Sequence, residues 1–161
     1  MANSLILHIL NKKDIISKIK QKLPPAFETV EKELSGNPAV GLLREPIIVG
    51  MFMAFLGESQ VKPVKGGVHA DIDCYIGSQP LSIKTVSLNG GIRIKWTANA
   101  SKAYEFINSY MPRSDLLITR IVWDGEGYIR YVPLSVQEEI FNSLGLKRYL
   151  TYRSTTNTRG V

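Results

Sequence analysis

The segment Ala70 to Thr85, ADIDCYIGSQPLSIKT, puts two aspartates on one arm of an expected β-hairpin and a serine and a lysine on the other. Strand alternation sorts these side chains. With Gly77 to Pro80 as the turn, Ile76 is expected opposite Leu81, Tyr75 opposite Ser82, and Asp73 opposite Lys84. His69, Asp71, Asp73, Tyr75, Ser82 and Lys84 then share one face, and Ile72, Cys74, Ile76, Leu81 and Ile83 the other. Carboxylates are hard oxygen ligands, and Mg2+ takes one or two of them along with waters and phosphate oxygens. Such an ion polarises a scissile phosphate and helps to generate hydroxide from water. A lysine beside it orients that water or offsets charge in the transition state. The group therefore suits phosphodiester hydrolysis. The plainer reading is a solvated hairpin face with a cross-strand Asp–Lys pair.

A third carboxylate can join them. In NPAVGLLREPIIVGMFMAFLG, Glu45 is in helical phase with Val49, Phe52, Met53 and Leu56, the stripe that should pack on the sheet. An acid buried on such a stripe needs a partner, because an unpaired buried charge is very costly. A divalent cation or a lysine would serve. The simpler alternative pairs Glu45 with Arg44, or lets it reach solvent past Pro46. Met51, Phe52 and Met53 read as core packing, and Cys74 as a core thiol pointing with Ile72 and Ile76.

The elements that must position these groups follow from periodicity. Leu5, Ile6, Ile9, Ile15, Ile16, Ile19 and Leu23 recur at helical spacing, and Pro24-Pro25 should end that pattern. A short helix is expected over AFETVEKEL, closed by Ser35-Gly36. The next helix has Asn37 as N-cap, Pro38 at its first position and Gly57 at its end, with Pro46 kinking or splitting it. The period then becomes strand-like through VKPVK, GVHADIDCYIG and PLSIKTVSL, and Asn89-Gly90-Gly91 turns the chain into IRIKWT. ASKAYEFINSYM is a helix with Ala103, Phe106, Ile107 and Tyr110 on its apolar side. LLITRIVW suits a central strand covered on both faces. Gly125-Glu126-Gly127 leads into YIRYVPL, and Ser135 with Glu138 forms a capping box for the last helix.

Glu45 on a helix, Asp73 on one strand and SIK at Ser82 to Lys84 on the next together resemble the PD-(D/E)XK nuclease superfamily, which includes many type II restriction endonucleases. The element order from about Asn37 to Trp123 is similar to that superfamily's core. The resemblance implies an α/β fold, a restriction-endonuclease-like mixed sheet with an αβββαβ core flanked by helices. It implies a Mg2+-dependent endonuclease acting on double-stranded DNA at a short palindrome, as a homodimer. Asp73 would be the metal-ligating aspartate, Lys84 the catalytic lysine and Glu45 the helix glutamate. The chain departs from the pattern in two ways. No proline precedes the aspartate, and Ser82 stands where a second acid usually sits. Glu45 is the candidate to compensate. Glu105 is disfavoured because it aligns with Ser101, Lys102, Asn108 and Ser109 on a polar face. Whether Asp71 or Asp73 is the principal ligand stays open. So do a repair, junction or transposon nuclease of the same superfamily, and a degenerate module that only binds DNA.

The bulk properties agree. The 161 residues suit one nuclease domain over 1–161, with N-terminal helices at 3–36, a catalytic core at about 37–133, and a C-terminal helix and basic tail at 134–161. A net charge of +6 favours a polyanionic partner. Cys74 is the single cysteine, so no internal disulfide forms and a reducing cytoplasm is expected. No apolar run approaches the roughly 20 residues that span a bilayer. The chain ends at TRGV without a terminating helix, which leaves open that it belongs to a longer one. Arg93, Lys95, Lys147, Arg148, Arg153 and Arg159 are the candidate DNA contacts, and no acid follows Glu139. Substituting Arg153 or Arg159 is expected to weaken DNA binding and to flatten its salt dependence by roughly one unit of slope per lost phosphate contact. Titrating binding against salt checks this, and an unchanged slope makes the tail a bystander.

Overall fold

A computed structural model describes residues 2–33, 40–64, 71–86, 92, 94, 100–120 and 127–150. Helix α1 (Ser4–Asn11) begins at Asn3, whose side-chain oxygen accepts from the amides of Leu5 (3.0 Å) and Ile6 (3.3 Å). The chain breaks at Lys12 and continues as α2 (Lys13–Glu33). The expected stop at Pro24-Pro25 is therefore corrected: α2 runs through both prolines and absorbs the separate helix expected at AFETVEKEL. The carbonyls that lose their donors belong to Lys20 and Gln21, which are exposed, so water can take the vacant bonds. Helix α3 (Val40–Leu56) likewise stays one helix through Pro46, which is exposed, and is not split there. It ends as expected at Gly57, whose φ of 87° few other residues adopt and whose amide donates to Met53 (2.9 Å). The expected cap at Asn37-Pro38 lies outside the described residues.

Five strands form one sheet in the order β1 (Val61–Pro63), β2 (Cys74–Ile76), β3 (Gln79–Val86), β4 (Asp115–Arg120) and β5 (Tyr128–Val132). Only β3 and β4 are parallel; they are joined through α4 (Ala100–Ser109), and the other pairs are antiparallel. Of the expected strand IRIKWT, only Ile92 and Ile94 are described, and neither is in the sheet.

The hairpin register differs from expectation. The turn is Gly77-Ser78, with Gly77 at φ 62°, so Ile76 pairs with Gln79, Tyr75 with Pro80 and Cys74 with Leu81. The paired register ends at Cys74, and the Asp73 amide donates to the Leu81 carbonyl (2.9 Å), so Asp73 does not stand opposite Lys84 as expected. The slip is two residues, which preserves every side-chain face; a slip of one would have inverted them.

One side of the sheet is closed by the N-terminal helices. Ile6 and Ile9 of α1, Ile19, Leu23 and Phe27 of α2, and Ile48 and Phe52 of α3 pack with Cys74, Ile76, Leu81, Ile83 and Leu117. Burial therefore alternates along β4, and the expectation of a strand equally covered on both faces is not met. Among the described residues no helix is long and apolar enough to cross a membrane.

Helix α5 (Leu134–Leu144) does not use the expected Ser135–Glu138 box: Pro133 occupies the N-cap position with no side-chain cap bond. The first amide, on Leu134, instead donates to Oδ1 of Asp115 (2.7 Å), and the Tyr131 hydroxyl donates to the other oxygen (2.6 Å). Asp115 is 4% exposed. That carboxylate joins β4, β5 and α5, and a short helix α6 (Leu146–Tyr149) follows. Asp115→Ala leaves two donors without their acceptor and is expected to cost about 1–3 kcal/mol for each one left unsatisfied. Tyr131→Phe should cost less, and urea unfolding measures both.

Candidate active site

Asp73 sits one residue ahead of β2, where the main chain leaves the ladder. Its amide donates to Leu81 (2.9 Å) and its carbonyl accepts from Val64 (3.0 Å). Its carboxylate takes over from the backbone, with Oδ2 accepting the Ile83 amide of β3 at 2.5 Å. A charged acceptor strengthens such a bond. The side chain is thus fixed at the junction of two strands.

Glu45 reaches the same place from α3. It is half-buried, one position before Pro46, on the side of the helix that carries buried Val49 and Phe52. Arg44 does not neutralise it, because that guanidinium is paired with Glu31 and lies over the Phe27 ring (5.8 Å to the centroid). The Glu45 carboxyl is pushed from 4.5 up to about 7, chiefly by burial. The charge of Asp73 and a hydrogen bond to it push the same way, while the charge of Lys84 opposes them. Burial first, and the facing acid second, therefore favour the protonated form of Glu45 toward neutral pH. Glu45, Asp73 and Lys84 are one electrostatic group. Among the described residues no three His, Cys, Asp or Glu side chains gather into a metal cage, so the protein side of the site is a carboxylate pair with an amine beside it.

Lys84 also lines a small cavity with Asp71, Ser82, Tyr110, Arg113 and Gln137. Ser82 is 6% exposed there. Asp71 Oδ1 is buried without a hydrogen-bond partner. Gln137 is fixed by donating to the carbonyls of Ser114 (2.9 Å) and Val132 (3.1 Å). Burial pushes the Tyr110 hydroxyl up, helped by the charges of Tyr149 and Asp71. Tyr110, Arg113 and Gln137 were not singled out from sequence. Tyr110 was read only as part of an apolar helix face, and Arg113 sits in a connection without a motif.

The remaining candidates separate plainly. Arg93, Lys95, Arg153, Arg159 and His69 lie outside the described residues. Lys147 and Arg148 are exposed on α6, and Glu105 is exposed on α4. Cys74 is fully buried, and its thiol is pushed up to about 12 by burial and then by the Asp73 charge, which leaves it inert.

Comparison with known proteins bears on the whole chain. The family model for restriction endonuclease ThaI matches residues 9–161. A solved structure titled "Restriction endonuclease in complex with substrate DNA" matches with a TM-score of 0.88 and 32% identity, over 96% of this chain and 78% of that one. The mixed five-stranded sheet with flanking helices is therefore a restriction-endonuclease fold. No curated protein matches.

The Glu45 environment sets a pH dependence. Because the folded-state value of about 7 lies above 4.5, the folded protein binds more protons than the unfolded chain in between. The contribution of Glu45 to stability is full at low pH and is lost as pH rises through 7. Glu45→Gln keeps a neutral hydrogen-bonding group and is expected to flatten this fall, as read from urea midpoints of both proteins without metal at acidic and mildly basic pH.

Proposed function

The chain belongs to the ThaI restriction endonuclease family, and on that premise we propose that it hydrolyses phosphodiester bonds of double-stranded DNA as a Mg2+-dependent type II enzyme. Its reacting centre is Glu45, Asp73 and Lys84, carried on a single nuclease domain. The observation that supports this most is that the Glu45 and Asp73 carboxyl groups lie within hydrogen-bonding reach of each other and under the influence of the Lys84 charge. Two acids pressed together in a partly desolvated site are costly unless a cation sits with them.

The donor set fits Mg2+, which needs one or two carboxylates and takes its other ligands from water and phosphate. Asp73 and Glu45 would hold it. When bound, it would polarise the scissile phosphate and lower the pKa of water. Asp73 presents its carboxylate in one orientation because the Ile83 amide fixes it. Glu45 gives up its proton on binding, so affinity for the ion rises with pH. Lys84 offsets negative charge that builds on the phosphate oxygens. Asp71, with a buried oxygen lacking a partner beside Ser82 and Lys84, is the acid best suited to stand in for the one that Ser82 replaces. The solved relative is a complex with substrate DNA, which favours the same partner here. Cutting both strands of a short palindrome favours a homodimer with two such sites.

A degenerate DNA-binding module is the second reading, supported by the serine at position 82. Incubating plasmid with Mg2+ separates the possibilities. Discrete fragments support the restriction enzyme, cutting of branched or damaged DNA alone supports a repair nuclease, and binding without cleavage supports the module. Asp73→Asn still offers an acceptor to Ile83 and is expected to abolish cleavage while keeping DNA binding. Lys84→Ala is expected to slow cleavage by about 10²–10³-fold, and Glu45→Gln to raise the Mg2+ concentration required. Chelation by EDTA should stop the reaction and excess Mg2+ restore it. Unchanged cutting by Lys84→Ala removes that lysine from the mechanism.

A further inference from the structure

The side of the sheet away from the N-terminal helices carries a second group of charges. Lys84 aligns with Ile118 across the parallel β3–β4 pair, and Ile118 with Arg130 across β4–β5. Arg120, two residues beyond Ile118, aligns with Val86 and Tyr128. Directly aligned residues share a face, so Lys84, Arg120 and Arg130 all point away from buried Ile83, Leu117 and Thr119. Neither arginine has an acidic partner among the described residues. Among the described residues the ion pairs are Lys32–Glu28 and Arg44–Glu31. The Arg120 Nε is buried with no hydrogen-bond partner, and a buried donor left unpaired carries a desolvation cost. The Arg130 guanidinium lies 4.4 Å from the centroid of the Tyr128 ring, which holds it flat while the residue stays exposed.

We infer that Arg120 and Arg130 are phosphate contacts that, with Lys84, seat the backbone of the substrate duplex across strands β3 to β5; the inference rests on the nuclease reading above. Neighbouring strands lie about 4.8 Å apart, so the band from Lys84 to Arg130 spans roughly 10 Å. A DNA strand carries one charge per about 3.4 Å of helix axis, so the band matches a run of about three phosphates. Guanidinium suits this use because its planar fork bonds phosphate oxygens in pairs. One end of the band is Lys84, whose charge acts on Glu45. DNA held along it therefore runs past the carboxylate pair. Contacts of this kind fix the register of the duplex and carry no base information.

The test uses the full chain in EDTA with a short labelled duplex of mixed sequence, its affinity measured over a range of salt. Arg120→Gln and Arg130→Gln are each expected to make the slope of log K against log salt shallower by about 0.9. Arg120→Lys should keep the wild-type slope, and so should Lys18→Gln on the exposed side of α2. Wild-type slopes in both glutamine variants, with the parent protein still cutting plasmid in Mg2+, overturn the phosphate band and leave the nuclease reading standing. An equal change in Lys18→Gln also overturns it, since the effect is then bulk charge. A parent protein that neither binds nor cuts DNA sinks the nuclease reading and the band with it. If Arg120→Gln does not fold, Arg130→Gln on the exposed face decides the matter.

Discussion

The site depends on one hydrogen bond, from the Ile83 amide to the Asp73 carboxylate. Strand β2 is three residues long, and its regular pairing with β3 ends at Cys74, so that the Asp73 carboxylate accepts the Ile83 amide. A side chain completes the pairing that the backbone abandons. This has two effects at once: the buried amide of Ile83 is satisfied, and a carboxylate is held where helix α3 can bring Glu45 against it. Reactive groups need such support, because a site loose by a fraction of an ångström loses most of its chemistry.

The two faces of the sheet divide the work. The apolar face, closed by α1, α2 and α3, supplies the burial that holds the fold together and brings Glu45 into a partly desolvated position. The opposite face carries Ser82, Lys84, Arg120 and Arg130. The Asp73 carboxylate is bonded to the Ile83 amide at the strand edge, so an acid from the helix layer and an amine from the other side of the sheet both act there.

Much of this was legible in the residues because the governing periods are robust. Alternation assigned Ser82 and Lys84 to one side even though the turn was read two residues too long, since an even slip preserves parity. The helical stripe through Val49 and Phe52 set Glu45 on the buried side of α3, where it lies half-buried. What sequence could not supply were bonds between distant positions. Nothing near Leu134 announces that Asp115 caps its helix, and a local Ser135–Glu138 pattern offered a false answer. The prolines at 24 and 25 misled because the penalty for a proline in a helix falls when the orphaned carbonyls face water. Arg120 and Arg130 lie in otherwise ordinary strands, and only pairing across β3, β4 and β5 sets them on the same face as Lys84.

Asn3 reaches further than its role as a helix cap. Its side-chain amide donates to the carbonyl of Ile76 (3.0 Å), and its own backbone amide donates to the hydroxyl of Tyr131 (2.7 Å), so one residue ties β2 to β5 beneath the intervening strands. The grip on β2 is on main chain and is indifferent to the side chain carried there. Ser78 at the tip of the hairpin is thus free to vary without loosening the strand that follows Asp73, whereas Gly77, at φ 62°, is held to glycine by its backbone.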